Sequence, residues 1–453
     1  MAAGADDSPA WAPGLRFLTE DEPPIPLLLR ERLEDFVVEE QPSFTPSGEG
    51  EHLFVLVEKR GLSTDALAAH ARRIFDLRPT DVGYAGRKDA QAVTRQWLSL
   101  TGVATPDAAR LEDDRVRVLQ VTRNDKKLRL GALAGNRFEL LLRGIAEADR
   151  PRVVRVLERL AERGLPNYFG GQRFGADGRG FELGRLLYDG DAHGYLRARF
   201  AVESRSPVAS PAREAADVDH AAPTAEEASS NASEEVERSE PAASSALEEF
   251  AAALESGSRG DLRRLAKLAS RLPREAAGLA RQLARRPGDW SSALRALDRG
   301  SLTMHLSALQ SRVFNRLLAS RLETFDRPLL GDLVQFHTTR SQFAVGPDEN
   351  LDELARRAAA FELAPTGGLF GGRAEVPTGE PGRLERAALE AEGVDPAASR
   401  GALGPPLPGA RRLLRVPVAG LRHDFEPEGL RLAFELPPGC FATTLVSEIS
   451  KTP

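Results

Sequence analysis

Apolar and polar positions in the first third of the chain alternate in short runs separated by turn-forming residues. Leu27 to Glu40 reads as extended structure, ending in Glu34-Asp35-Phe36-Val37-Val38-Glu39-Glu40. A Pro/Ser/Gly-rich turn from Pro42 to Gly50 leads into a second strand, His52 to Glu58. Ser63 can cap a helix reaching about Leu77, since Leu67, Ala71, Ile74 and Phe75 share one face at helical spacing. Ala92–Leu100, Arg115–Thr122 and Gly135–Arg143 read as further strands, and Pro151–Arg163 as a helix with Val153, Leu157 and Leu160 inward. Helical spacing resumes over about Ser258–Leu297 and Leu302–Leu322, and Gly429–Leu436 reads as a closing strand. Strands mixed with helices in this way predict an α+β fold, and no internal repeat is present.

One segment has no such pattern. Ser206 to Ser256 is built of Ala, Ser, Glu and Pro, with 12 Asp/Glu against two Arg. It buries too little apolar surface to offset its ordering entropy and is expected to be a disordered acidic linker. Its local charge of −10 accounts for the acidity of a chain whose net charge is −6, so the remainder is mildly basic at +4. That surplus permits RNA binding without requiring it. The single cysteine, Cys440, excludes an internal disulfide and fits a reducing compartment. No leader peptide and no membrane-spanning run of about 18 apolar residues is expected, and the chain reads as cytoplasmic. Nothing in it demands more than a monomer.

Few residues offer catalytic chemistry. The seven histidines show no paired ligand spacing, which argues against a metal site. No serine sits in a Gly-x-Ser-x-Gly elbow, and Cys440 follows Pro-Gly in what reads as a packed turn. Carboxylates remain. The loop Gly83-Tyr84-Ala85-Gly86-Arg87-Lys88-Asp89-Ala90 delivers Asp89 beside two cations and among small residues, where a bulky substrate can approach the backbone. Arg87 and Lys88 are expected to hold Asp89 ionised and to attract a polyanion; the plainer alternative is an ion-paired loop or a helix cap. Glu34, Asp35, Glu39 and Glu40 could pair with Asp89 in a glycosidase-like site, or simply form the solvated edge of a strand. Phe36, Phe138, Tyr168, Phe169, Phe174 and Phe441 could stack on nucleobases, or belong to the core.

Read in order, the segments resemble the TruD family of tRNA pseudouridine synthases. The resemblance is carried by Glu34-Asp35-Phe36-Val37-Val38-Glu39, Gly48-Glu49-Gly50-Glu51-His52, and Ala85-Gly86-Arg87-Lys88-Asp89 with Ala92-Val93-Thr94 and Gln96-Trp97. It continues through Gly135-Asn136-Arg137-Phe138, Asn167-Tyr168-Phe169-Gly170 and Gln172-Arg173-Phe174-Gly175, and ends in Leu436-Pro437 with Gly439 and Phe441-Ala442-Thr443. Phe314-Asn315 and Thr366-Gly367-Gly368-Leu369-Phe370-Gly371 mark it in the middle.

This resemblance implies a cofactor-free isomerisation of uridine to pseudouridine in tRNA, at position 13. Asp89 matches the family's catalytic aspartate; Phe36, Asn136, Phe138 and Phe441 match positions lining the uridine pocket. Arg30 stands where the family usually has Lys, and with Lys88, Lys126, Lys127, Arg129 and Arg173 it is a candidate phosphate contact. The implied catalytic domain has a mixed, mainly antiparallel sheet built from residues 1–166 and 409–453. A family-specific domain is inserted over 167–408. The competing readings are a non-catalytic RNA-binding protein or RNA chaperone on the same scaffold, and a glycosidase-like hydrolase.

Overall fold

A computed structural model of the chain describes residues 8–175, 177–205, 245–372, 374–395 and 403–452. Its backbone contacts separate into two units. One comprises Met1–Leu15, Gly171–Ser320 and Gly367–Arg412; the other comprises Arg16–Gly170, Arg321–Thr366 and Leu413–Pro453.

The second unit is built on an eight-stranded sheet. Its strands are β1 (Phe36–Pro42), β2 (His52–Arg60), β3 (Val82–Tyr84), β4 (Val93–Thr101), β5 (Val116–Asn124), β6 (Leu133–Leu142), β13 (Ala419–Glu426) and β14 (Gly429–Leu436). They run in the order β13-β14-β6-β1-β4-β2-β5, with β3 paired to β4. The β1–β4 pair is parallel and the other pairs described are antiparallel, so the sheet is mixed and mainly antiparallel, as expected.

Strand β2 lies inside the sheet and is covered on both faces. Leu53, Val55 and Val57 pack with Leu67 and Ala71 of helix α1 (Thr64–Phe75), while Phe54 packs with Trp97 and Leu128 on the other side. Burying one such side chain contributes about 1.5–3 kcal/mol. Ser63 caps α1 by accepting from the Ala66 N–H at 3.1 Å, as its position predicts. Helix α2 (Arg150–Arg163) buries Val153, Leu157 and Leu160, also as expected.

A two-strand bridge joins β7 (Leu165–Pro166) to β12 (Arg415–Val416). Strands β8 (Leu333–Phe336) and β9 (Gln342–Ala344), helix α10 (Leu351–Ala359) and the start of β10 (Leu363–Leu369) enclose a small cluster around Val334, Leu354 and Leu363. The unit closes with helix α12 (Ala442–Ser450), which the pattern of β-branched residues did not announce. Its Leu445 and Ile449 are fully buried, and the buried Glu448 accepts from the Leu18 and Thr19 N–H groups. Tertiary contacts therefore override a weak helical preference.

The first unit is helical. It contains α3 (Gly180–Asp189), α4 (Ala192–Arg205), α5 (245–256), α6 (Arg259–Leu268), α7 (Arg274–Arg285), α8 (Trp290–Leu294), α9 (Arg299–Arg321) and α11 (Gly379–Ala391), with β11 (Ala410–Leu413) at its end. One cluster centred on Tyr195, Phe200, Phe250, Leu279 and Leu306 joins them. The expected acidic linker lies outside the described residues as far as 244. Composition predicts disorder up to Ser256, but residues 245–256 are helical. Ala246, Leu247, Phe250, Ala253 and Leu254 supply the apolar face, and Phe250 meets Phe200 edge-on at 5.0 Å. The acidic composition hides that stripe.

Candidate active site

Asp89 sits on the loop between β3 and β4, and the surrounding sequence holds that loop by its backbone. Gly83 can be only glycine here, since a Cβ would lie 2.4 Å from the Leu128 carbonyl oxygen. The Lys88 N–H donates to Thr64 Oγ1 at 2.8 Å, and that hydroxyl donates in turn to Gln96 Oε1 at 2.8 Å. Lys59, fully buried at the end of β2, donates from Nζ to the Asp89 carbonyl at 3.1 Å and also to the Leu62 carbonyl. Burial pushes the Lys59 ammonium down to about 8.

The Asp89 side chain remains open, with 41% of its surface exposed. Its Oδ2 accepts from Arg30 Nη2 at 2.7 Å. The Arg30 guanidinium also lies over the Phe36 ring, 4.0 Å from its centroid. Arg30 has a left-handed backbone with φ +63°, a conformation that costs a non-glycine residue about 1 kcal/mol. Its segment is fixed by paired hydrogen bonds between Leu28 and Arg143 at 2.9 and 3.0 Å.

The cations expected to hold Asp89 have other partners. Arg87 lies 3.4 Å from Asp65, and Lys88 lies 2.9 Å from Glu40 Oε2 and donates to Asn136 Oδ1 at 2.9 Å. Arg30 is the cation that pairs with Asp89 instead. Glu40 and Asn136 are direct partners in the β1–β6 register, so one ammonium bridges two neighbouring strands. Burial pushes the Glu40 carboxyl up, and Lys88 opposes that shift.

The acidic run before β1 divides by face. Glu40 is buried, and so is Asp35, which pairs with Arg143 at 2.7 Å; that guanidinium holds its carboxyl below the usual range. Glu34 and Glu39 are the outward members, near Arg60 and Arg95. None of the four bonds to Asp89 among the described residues. The alternation was legible: Phe36, Val38 and Glu40 share one face of β1, and Leu53, Val55, Val57 and Lys59 share one face of β2. Lys59 and Glu40 are the polar ends of apolar stripes; Lys59 is not among the sequence candidates, and Glu40 is expected there either to pair with Asp89 or to lie at a solvated strand edge.

Phe36 and Phe138 meet edge-on at 6.3 Å, and Phe138 stacks on Phe434 at 5.4 Å. Both are buried and can form the floor of a pocket rather than an open platform. Phe441, the partly exposed N-cap residue of α12, packs 6.4 Å from Phe169 and beside Gly170. Tyr168, Phe169 and Phe174 are buried.

Among the phosphate candidates, Lys88 is buried in its ion pair with Glu40, and Arg30 is committed to Asp89 and Phe36. Desolvation is offset only by such partners, which removes both from the open surface. Lys126 and Arg129 are exposed, and Lys127 donates to the Thr80 carbonyl. In the helical unit, Arg173 is half-buried and donates to Ser307 at 2.8 Å and Ser311 at 3.3 Å. No group of three or more metal-ligating side chains is present among the described residues, and no described helix is long and apolar enough to cross a membrane.

A family model described as tRNA pseudouridine synthase D (TruD) matches residues 13–239 and 230–449. A tRNA pseudouridine synthase D of Geobacter metallireducens is 36% identical over 436 residues, covering 96% of this chain and 98% of that protein. One from Pseudomonas aeruginosa is 34% identical over 430 residues, covering 93% and 90%. A crystal structure assigned to TruD from Methanosarcina mazei superposes with a TM-score of 0.66 over 97% of each chain, at 23% identity, a likeness of fold.

Proposed function

The chain belongs to the TruD family of tRNA pseudouridine synthases, and on that premise we propose that it isomerises a uridine in tRNA with Asp89 as the reacting carboxylate. The observation that supports this reading most is the state of Asp89: its backbone is clamped by Lys59 and its Oδ2 is oriented by Arg30, yet its side chain is open. A carboxylate fixed in this way needs little reorganisation when a nucleotide arrives.

The target nucleotide leaves its stack to reach such a loop. Asp89 then attacks the ribose C1′ as the N1–C1′ bond breaks, or removes a ribose proton on a route through a glycal. Uracil departs with the bonding pair, turns, and rejoins C1′ through C5. The carboxylate is released, or on the glycal route returns its proton to the ribose; the C5 hydrogen passes to solvent, and N1 gains a proton. Phe36 and Phe138 supply an apolar floor, and Asn136 a polar group at its edge. Partly exposed Phe441 supplies a face on which a base can stack. The family resemblance points to position 13 of tRNA. Residues 1–166 and 409–453 form the catalytic domain in this reading, and the acidic 206–244 stretch belongs to the inserted part.

The test is tritium release from tRNA labelled at uridine C5, with wild type and Asp89→Asn side by side. Release by wild type alone is expected. tRNA binding without release would favour the non-catalytic scaffold, and free uracil with an abasic RNA would favour a hydrolase.

A further inference from the structure

The helices α6 and α7 and the segments that flank them carry a charge that the reactions at Asp89 do not use. Residues 257–299 contain eleven Lys/Arg and four Asp/Glu, a surplus of seven in a chain whose net charge is −6. All eleven cations are exposed. Leu262 and Leu265 of α6, and Leu279, Ala280 and Leu283 of α7, point into the shared apolar cluster. The cations are left outside. Arg259, Arg263 and Lys267 follow at four-residue spacing along α6, and Arg274, Arg281 and Arg285 lie along α7 at spacings that keep them on one side.

The four carboxylates do not neutralise these stripes. Asp261 accepts from Ser256 and Ser258, Glu275 pairs with Arg199, Asp289 caps α8, and Asp298 accepts from the Ser301 N–H. Within this stretch Arg264 pairs with Asp261 and Arg286 with Asp289. Arg259, Arg263, Lys267, Arg274, Arg281 and Arg285 have no carboxylate partner among the described residues. Like charges one helical turn apart repel, so an isolated helix gains nothing from this arrangement. An array of this kind is stabilised when a polyanion lies along it.

We propose that the outer faces of α6 and α7 bind the phosphate backbone of the RNA substrate, a contact separate in sequence from the Asp89 loop. The identity of the ligand as RNA rests on the function proposed above. Ten of the eleven cations are arginine, whose forked donors match phosphate oxygens. No large apolar side chain is exposed over 257–299, so the face lacks the apolar anchor that a protein partner would use. The four-residue spacing suits a regular backbone and reads no base sequence.

The experiment uses the full chain with Arg263→Gln, Lys267→Gln, Arg281→Gln and Arg285→Gln combined, all at exposed positions, with circular dichroism to confirm the fold. A control chain carries Arg327→Gln, Arg340→Gln, Arg356→Gln and Arg383→Gln, which removes the same charge elsewhere. Binding of a tRNA transcript is measured by anisotropy from about 50 to about 300 mM salt. The helix variant is expected to bind roughly tenfold more weakly near 150 mM, with a salt slope shallower by about 0.9 for each phosphate it no longer neutralises. Its kcat at saturating tRNA stays at the wild-type value. An unchanged Kd and slope overturns the proposal, as does an equal loss in the control chain. Because binding is read directly, a helix-specific loss stands even if no tritium is released, whereas that result would count against the isomerase itself.

Discussion

The Lys59 ammonium donates to the backbone carbonyl of Asp89 at 3.1 Å, from a side chain with no exposed surface. A buried cation is thereby used to hold main chain rather than to pair with the nearby carboxylate, which Arg30 takes instead. The two cations divide the work: one fixes where the residue sits, the other fixes how its carboxylate points.

Removing the clamp separates these roles. Lys59→Met leaves the Asp89 and Leu62 carbonyls without their donor, at a cost of about 1–3 kcal/mol each where they stay dry. We expect kcat to fall by about 10–100-fold with a smaller change in KM, since a misplaced group loses rate more than binding. Unchanged kcat in a folded Lys59→Met protein would remove the clamp from the mechanism.

The same lysine gives a pH signature. Its ammonium is lowered to about 8 in the folded chain from 10.5, so between those values the unfolded chain holds the extra proton. Stability from this group therefore rises with pH across that window, by on the order of 3 kcal/mol in full, and is constant below it. Urea unfolding of wild type minus Lys59→Met, followed from about pH 7.5 to about pH 10, should show the rise. A flat difference would contradict it.

Arg30 should tolerate lysine better than a neutral residue. Arg30→Met loses a charge-assisted hydrogen bond of about 1.5–3 kcal/mol, which is about 10–150-fold in kcat/KM if it acts in the transition state. Arg30→Lys keeps the charge but not the planar contact with Phe36, and about a fivefold loss is expected. Equal losses for the two would mean that the stacking, not the charge, is what matters.

The buried Glu40–Lys88 pair predicts non-additive stabilities. Glu40→Gln strands a buried ammonium and should cost about 3–5 kcal/mol, whereas Glu40→Gln with Lys88→Met should recover part of it. A double-mutant cycle by urea unfolding reads the coupling directly. Additive losses would show that the pair is not coupled.

Phe441 offers a cleaner test of base stacking than the buried rings. Phe441→Leu should keep stability within about 1 kcal/mol. It should also weaken tRNA turnover at low substrate by about 5–50-fold, the range expected when one base loses its stacking platform. Wild-type kcat/KM would place the base elsewhere.

Much of this architecture was legible along the chain because its elements carry strong periods. The strand at His52, the helix capped by Ser63 and the long helix over 302–322 follow from apolar spacing. Helix α12 and strand β10 did not, since Thr443, Thr444 and Val446 are poor helix formers and Gly367-Gly368 reads as a loop. At the site, Asp89 stood out by its small neighbours, but its true partner, Arg30, lies 59 residues away on a strained segment. Arg87 and Lys88 were the obvious candidates by adjacency. Their side chains leave the loop in other directions, which sequence proximity cannot reveal. Glu40 was the reverse case, an acid beside valines that looked solvated and lies in the centre of a sheet.

The place of β14 beside β6 has a consequence for when the enzyme becomes active. Phe434 stacks on Phe138, yet more than half of the chain is synthesised between Leu142 and Gly429. During translation the Asp89 loop emerges early with one flank of its sheet open, and the strand that covers this edge is made almost last. The edge of β6 must therefore stay unpaired, or be guarded by other factors, while the helical unit is being made. Closing so long a loop favours late assembly, so a ribosome-bound chain that stops short of Gly429 is expected to carry the Asp89 loop without the sheet that completes its setting.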